Sequence, residues 1–325
     1  MSWLVTGGAG YIGAHVVRAL VQAGLDVVVL DDLSTGLRTR VPDQVPFVQA
    51  DVLDSALLET TLREHDVRGV VHLAGKKSLP ESVERPLYYY EQNVGGCASL
   101  LTAMRAAAVD RIVFSSTCAV VGPPAVDFVD ELTPTQPESP YGRTKLACEW
   151  MVADAALAGP LHWASLRYFN VVGAGSPDLG DTCETNLVPC TFRAITAGRR
   201  PQVFGADYPT PDGSCVRDFI HVTDVAAAHV AAAQRLDTAA AGGPAYGQVL
   251  NVGRGDGASV KEVMAVVAEV TRTDLAYEIG PRRPHDPARV VGLVEKIALE
   301  LGWKAELDLH DMVRSAWAAW PHRAP

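Results

Sequence analysis

Short continuous apolar runs alternate with amphipathic stretches through the first half of the chain. The runs fall at 2–6, 26–30 (Asp-Val-Val-Val-Leu), 46–50, 69–73 (Gly-Val-Val-His-Leu) and 111–115 (Arg-Ile-Val-Phe-Ser). Runs of this length suit strands buried on both faces, which predicts a parallel sheet with helices on each side. Helices are predicted between them at 11–23, 55–64, 94–108 and 141–158. That alternation predicts an α/β fold class with a doubly wound parallel sheet.

After about residue 170 the texture changes. Segments 173–186 and 205–215 are rich in Gly, Pro, Asp and Ser, as in long loops over a binding site. Helices return at 223–236 and at 260–270, where Ser259 and Glu262 stand in capping-box spacing before Val260, Val263, Met264 and Val267. Near the C-terminus, Leu309, Met312, Val313, Ala316, Trp317 and Trp320 form a further helical stripe, expected to pack against the body. The division predicted is a first domain over 1–170 and a smaller α/β substrate domain over 171–325, with a segment near 216–240 returning to the first. No internal repeat is visible.

Composition narrows the function. Hydrophobic residues make up 48% and charged residues 20% of the 325 positions, so a packed core is expected. The formal charge of −10 repels nucleic acid and anionic membranes, and neither is an expected partner. An anionic small molecule would need local arginines. The six cysteines (97, 118, 148, 183, 190 and 215) show no CxxC and no Cys/His ligand spacing, so reduced thiols and no metal site are expected. No basic leader precedes the first strand, and charges interrupt every apolar stretch well before membrane-spanning length. A cytoplasmic location is the expectation.

The first chemical signal is Thr6-Gly7-Gly8-Ala9-Gly10-Tyr11-Ile12-Gly13. Glycines 7, 10 and 13 follow a strand and open a helix, permitting a tight turn, close approach to a pyrophosphate and tight helix–strand packing. The helix N-terminus then offers free amides to phosphates. The second strand ends at Asp31, 18 residues after Gly13, where an acid should meet an adenosine ribose. Asp31 and Asp32 together would repel a 2′-phosphate, favouring NAD over NADP. This is the signature of a Rossmann dinucleotide-binding domain. Asp51 after the third strand could meet the adenine amino group, and Leu73-Ala74-Gly75 after the fourth could pass under the cofactor.

The second signal is Tyr141-Gly142-Arg143-Thr144-Lys145. Positions i and i+4 share a helix face, which places the phenol and the ammonium side by side. A nearby cation lowers a tyrosine pKa from about 10, and an oxidised nicotinamide would add a second positive charge. A general base poised near neutral pH is the expectation. The fifth strand ends in Ser115-Ser116-Thr117, so Thr117 should point into the crevice and share a proton with Tyr141. Hydride transfer at a sugar or alcohol carbon is the reaction this set supports.

With these motifs the sequence resembles the extended short-chain dehydrogenases/reductases, and within them the UDP-glucose 4-epimerases. The resemblance runs from Val5-Thr6-Gly7 to about Leu301-Gly302-Trp303. It includes Ala74-Gly75-Lys76-Lys77 with Glu81-Ser82-Val83, Ser139-Pro140-Tyr141-Gly142, Leu166-Arg167-Tyr168-Phe169-Asn170 and Asn186-Leu187-Val188-Pro189. It continues through Phe204-Gly205, Val216-Arg217-Asp218-Phe219-Ile220-His221-Val222, and Pro281-Arg282-Arg283 with Asp286. The resemblance implies reversible oxidation at sugar C4 with tightly bound NAD, Tyr141 as base, and Thr117 and Lys145 as its partners. It implies a cofactor site of Gly7, Gly10, Tyr11, Ile12, Gly13, Asp31, Asp32, Leu33, Ser34, Thr35, Gly36, Asp51, Val52, Leu73, Ala74, Gly75, Lys77, Gln92 and Phe169, with Thr117, Tyr141 and Lys145. Around a UDP-hexose it implies Asn170, Asn186, Leu187, Phe204, Arg217, Arg283 and Asp286, again with Thr117 and Tyr141, and Val290 as a gate near sugar C2. It also implies a homodimer.

Three positions depart from the family pattern. Val121 stands where Tyr is frequent, Gln92 where an Asn commonly contacts NAD, and Thr117 where Ser is usual, which keeps the hydroxyl. A 4,6-dehydratase would need an acid pair directly after Thr117, and Cys118-Ala119 stand there instead. Cys118 lacks a His partner in the motif and is expected to be a packed side chain. A non-catalytic NAD sensor would be expected to lose Tyr141 or Lys145. An epimerase for another nucleotide sugar is the main alternative.

Overall fold

Valine, isoleucine and leucine side chains on both sides of each apolar run drive it into a sheet that helices can cover from either face. The computed structural model describes residues 1–183, 185–283 and 286–322. Its first half contains β1 (Ser2–Thr6), α1 (Tyr11–Gln22), β2 (Val27–Asp31), β3 (Phe47–Gln49), α2 (Ser55–Glu64) and β4 (Val67–His72). It continues with α3 (Leu79–Glu84), α4 (Pro86–Tyr89), a π-helical turn at Tyr90–Gly95, α5 (Gly96–Ala106), β5 (Arg111–Thr117), α6 (Pro140–Leu157) and β6 (His162–Tyr168). The helix predicted over 94–108 is thus shorter, beginning where the π turn ends.

The second half contains β7 (Asn170–Val172), α7 (Leu187–Thr196), β8 (Gln202–Phe204), β9 (Val216–Arg217), β10 (Phe219–His221) and α8 (Val222–Ala240). After these come β11 (Gly247–Val252), β12 (Ala258–Ser259), α9 (Val260–Thr271), β13 (Glu278–Gly280), β14 (Arg289–Val290), α10 (Glu295–Leu301) and α11 (Leu309–Ala319). The predicted capping box on α9 is present, with Ser259 and Glu262 each capping the other's backbone.

Seven parallel strands form the central sheet in the order β11-β6-β5-β4-β1-β2-β3. This is the predicted α/β class, a doubly wound Rossmann sheet. Adjacent residues of β1 face opposite ways, as the pleat requires. Trp3 and Val5 join the core beneath α1 and α8, and Leu4 joins the core beneath α2, α5 and α6. A separate apolar cluster gathers Val172, Val188, Phe192, Phe219, Val263, Met312, Val313 and Trp320. The C-terminal stripe of α11 closes that cluster. Among the described residues no helix is long and apolar enough to cross a membrane.

Candidate active site

The sheet order reverses between β1 and β4, and a crevice opens there beyond the strand C-termini, the usual ligand position in this architecture. Gly7 leaves β1 at φ +72, a left-handed conformation that favours glycine, and a Cβ on Gly13 would stand 2.1 Å from Gly7 O. Gly10 caps α1 without any side-chain hydrogen bond, and the first turn carries no acid. The amides of Tyr11, Ile12 and Gly13 therefore face the crevice without helical partners, a fit for a dinucleotide's phosphates. The Tyr11 side chain turns elsewhere: its hydroxyl donates to Gly173 O at 2.5 Å.

Asp31 accepts from Ala9 N at 3.0 Å and from Leu33 N at 2.8 Å, locking the glycine-rich turn to the end of β2. Burial raises its pKa, and those two amides pull it back. Asp32, Ser34 and Thr35 are exposed, while Gly36 is buried. Leu73 N donates to Thr6 O at 3.0 Å and Ala74 N to Thr6 Oγ1 at 3.4 Å, so Leu73-Ala74-Gly75 runs along the crevice floor. Asp51 is exposed and accepts from Leu53 N at 2.9 Å, while Val52 is buried. Lys77 is exposed and Gln92 half-buried. Their unpredicted neighbours hold this loop. Asn93 accepts from Lys76 N at 2.8 Å and donates to Lys76 O at 3.0 Å and to Thr144 Oγ1 at 2.9 Å.

On the opposite side of the crevice, α6 starts at Pro140 with Ser139 Oγ accepting from Gly142 N at 3.1 Å. A Cβ on Gly142 would stand 2.7 Å from Ala119 O, so only glycine lets the helix approach the turn after Thr117 this closely. Thr117 ends β5, and its side chain lies close enough to the Tyr141 phenol to lower its pKa. Burial pushes Tyr141 up to about 12, with Thr117 drawing it down. Lys145 is not among the causes of that shift, so of the two positive charges expected to poise the base, the lysine does not act on the phenol by itself. The Lys145 ammonium donates to Ser115 O at 2.9 Å and lies 5.0 Å from the Phe114 ring centre, and desolvation lowers its own pKa. Desolvation of the phenol therefore sets its pKa in the protein alone.

The surrounding groups set the rest of the site. Cys118 is pushed up to about 11 by burial, which keeps it a neutral thiol, and the Arg217 guanidinium facing it acts the other way. Ser115 and Tyr168 share a hydrogen bond between their hydroxyls. Beneath them lies a buried network that the sequence did not reveal. Glu149 accepts from Ser116 Oγ and from Arg167 Nε and Nη2, the last two at 2.8 and 2.6 Å. Glu149 stands four residues beyond Lys145 and eight beyond Tyr141 on α6, a spacing that could have marked it.

Arg217 and Val290 are register partners in the pairing of β9 with β14, and Arg217 forms an ion pair with Asp286. Val290 is buried in an apolar cluster with Phe169, Val121, Leu146 and the partly buried Cys118. The structure thus gathers Thr117, Tyr141, Lys145, Phe169, Arg217, Asp286 and Val290 around one region. Asn170 Nδ2 donates to Asp218 O at 3.1 Å, and Asn186 Nδ2 to Asp181 Oδ2 at 2.7 Å ahead of Leu187 in α7. The Arg283 guanidinium lies 4.1 Å over the Phe204 ring.

Comparison with known proteins shows the family. A family model described as the NAD dependent epimerase/dehydratase family matches residues 3–253. The chain is similar to the UDP-glucose 4-epimerase of Azospirillum brasilense, with 44% identity over 319 residues, 96% of this chain and 90% of the relative. It is similar in structure to a UDP-glucose 4-epimerase of Stenotrophomonas maltophila solved with bound NAD and formylated UDP-arabinopyranose. There the TM-score is 0.93 at 40% identity, covering 99% of this chain and 98% of that one. The UDP-glucose 4-epimerase of Brucella ovis in complex with NAD gives a TM-score of 0.92 at 38% identity, with 99% and 98% covered.

Proposed function

The chain belongs to the NAD dependent epimerase/dehydratase family, and we propose that it interconverts UDP-glucose and UDP-galactose by reversible oxidation at sugar C4. The observation that carries this reading is the placing of Thr117 beside the buried Tyr141 phenol, in a crevice whose other wall is the uncapped N-terminus of α1. NAD, when bound there, supplies a hydride acceptor that is regenerated in each cycle. The amides of Tyr11, Ile12 and Gly13 hold its phosphates, with Asp31 and Asp32 at the adenosine end and Lys77, Gln92 and Phe169 toward the nicotinamide. Thr117 passes the proton of the sugar O4 to Tyr141, which returns it after the 4-keto sugar has turned over. Lys145, anchored on Ser115 O, would meet the bound cofactor and help a positively charged nicotinamide favour the phenolate. Arg217 and Arg283 meet the diphosphate with charge-assisted hydrogen bonds, offsetting the negative field of the protein. Asn170, Asn186, Leu187, Phe204 and Asp286 complete the UDP-hexose site.

A homodimer and a cytoplasmic location are part of the same reading. Leu87, Tyr90 and Trp150 are exposed on α4, the π turn and α6, an apolar patch suited to a second copy. The six cysteines are all free thiols, as a reducing compartment requires. Val290, smaller than an aromatic residue at the gate position, favours a second reading in which N-acetylated UDP-sugars are also epimerised. The test is product analysis after incubation with UDP-galactose and no added cofactor, together with analysis of nucleotide released on denaturation. UDP-glucose and NAD are expected. NADP in the protein, or a requirement for fresh NAD at each turnover, would overturn the mechanism.

A further inference from the structure

The loops that follow β4 and β2 are joined across the cofactor crevice by one side chain. In the sheet β1 lies between β4 and β2, so these loops flank the glycine-rich turn where adenosine and its phosphates lie in this architecture. Lys76 starts on the β4 side with its backbone fixed. Asn93 grips both its amide and its carbonyl, and through Thr144 ties that grip to α6. From this base the side chain crosses to the β2 side, where Nζ donates to Ser34 Oγ at 2.8 Å and lies 4.0 Å from Asp32 Oδ2. The receiving end is fixed too, because Asp32 Oδ1 accepts from the Ser34 amide at 2.8 Å and from its hydroxyl at 2.7 Å.

We propose that Lys76 is a strap over the adenosine end of the crevice, and that it retains NAD by having to let go before the cofactor can leave. The inference rests on the cofactor reading above and concerns a different residue from Lys77. A charge-assisted hydrogen bond and an ion pair must break together for release, and the flexible lysine stem then allows them to re-form behind the dinucleotide. Retention matters for a catalyst that regenerates its cofactor on the protein. The strap leaves the chemistry at Tyr141 untouched and acts on the lifetime of the complex.

The experiment follows NAD release from the purified holoprotein, with an alcohol dehydrogenase and excess ethanol converting freed NAD to NADH. Lys76→Met is expected to release NAD about ten-fold faster, the size of one lost charge-assisted contact. Lys76→Arg should stay near wild type, and added KCl should speed release from wild type more than from Lys76→Met. Equal release from Lys76→Met and wild type, or equal acceleration in the Met and Arg variants, overturns the strap. Should stripped Lys76→Met unfold below the wild-type temperature, Ser34→Ala decides from the other end. Faster release that KCl speeds less than in wild type supports the strap, and unchanged release, or faster release with the wild-type salt response, overturns it. A wild type that carries no NAD would instead bring down the cofactor reading, so the two failures are distinct.

Discussion

The Lys145 ammonium donates to the carbonyl oxygen of Ser115 at 2.9 Å. It is therefore anchored to the end of the strand that carries Thr117, one residue pair away from the hydroxyl that meets the Tyr141 phenol. Lysine, threonine and tyrosine are held as one unit by β5 and α6, and their chemistry should fail one role at a time.

Tyr141→Phe keeps the ring and deletes the proton acceptor. Turnover should fall about 10²–10⁴-fold. NAD should remain bound, because the proposed phosphate site lies at α1, away from the phenol. Retention of more than a tenth of wild-type activity would show that Tyr141 is not the base.

The pH profile separates burial from charge. With the phenol pushed up to about 12 in the protein alone, little phenolate exists near neutral pH. A positively charged nicotinamide must lower that value for the base to work. The rising limb of kcat against pH should therefore show an apparent pKa well below 12, and Lys145→Met should move it upward. A limb that stays in place in the variant would remove Lys145 from the titration.

Much of the fold was legible because β1, β2, β4 and β5 are apolar on both faces. β6 was not read as a strand because His162, Ser165 and Arg167 interrupt its hydrophobic pattern. Arg167 is tolerated in the sheet only because Glu149, distant in sequence, neutralises it. The glycine-rich turn and the Tyr141–Lys145 spacing were visible because both are local. Direction was not visible: i and i+4 spacing placed Lys145 beside Tyr141, while the structure aims its ammonium at Ser115. Asn93 was missed for the same reason, since its importance lies in contacts with Lys76 and Thr144 that no spacing encodes.

The Glu149–Arg167 pair is buried and bidentate, so removing one charge should cost far more than its net worth. Glu149→Gln leaves Arg167 charged without its partner and should destabilise the fold by about 3–5 kcal/mol. Glu149→Leu combined with Arg167→Met should recover much of that loss. Denaturant unfolding of the three proteins tests it, and a double variant no better than Glu149→Gln would refute the charge argument.

Acid should weaken the fold through buried histidines. His15, His221 and His229 are each lowered from 6.5 to about 4, chiefly by burial. Between those values the unfolded chain binds protons that the folded one does not, so stability falls as pH drops from 6.5 to 4, and His72, lowered to about 3 by burial, extends the loss further. His229 donates Nδ1–H to Val225 O at 2.8 Å, while its Nε2 is buried without a partner. Urea unfolding at pH 8 and pH 5 should differ by a few kcal/mol by linkage, and His229→Leu should shrink the difference. An equal difference in that variant would place the acid sensitivity elsewhere.

Substrate breadth is expected to turn on Val290. It pairs in register with Arg217 and packs with Phe169 and Cys118. By resemblance, members restricted to glucose and galactose carry a bulky Tyr at this position, and smaller residues go with N-acetylated sugars. Valine has no ring to fill the space beside C2, so an acetamido group should enter without the clash that would exclude it. Overfilling a packed site costs about 1–3 kcal/mol, enough to change a preference roughly ten- to a hundred-fold. The neighbouring Arg289 does not refill the space, since its guanidinium lies over Phe128 at 4.8 Å and Nε donates to Asp127 O at 3.2 Å. We therefore expect wild type to act on both UDP-galactose and UDP-N-acetylgalactosamine, and Val290→Tyr to lose the second by at least about ten-fold in kcat/KM. A wild type inactive on the acetylated sugar would refute the open gate. An unchanged ratio in the variant would show that Val290 does not form it.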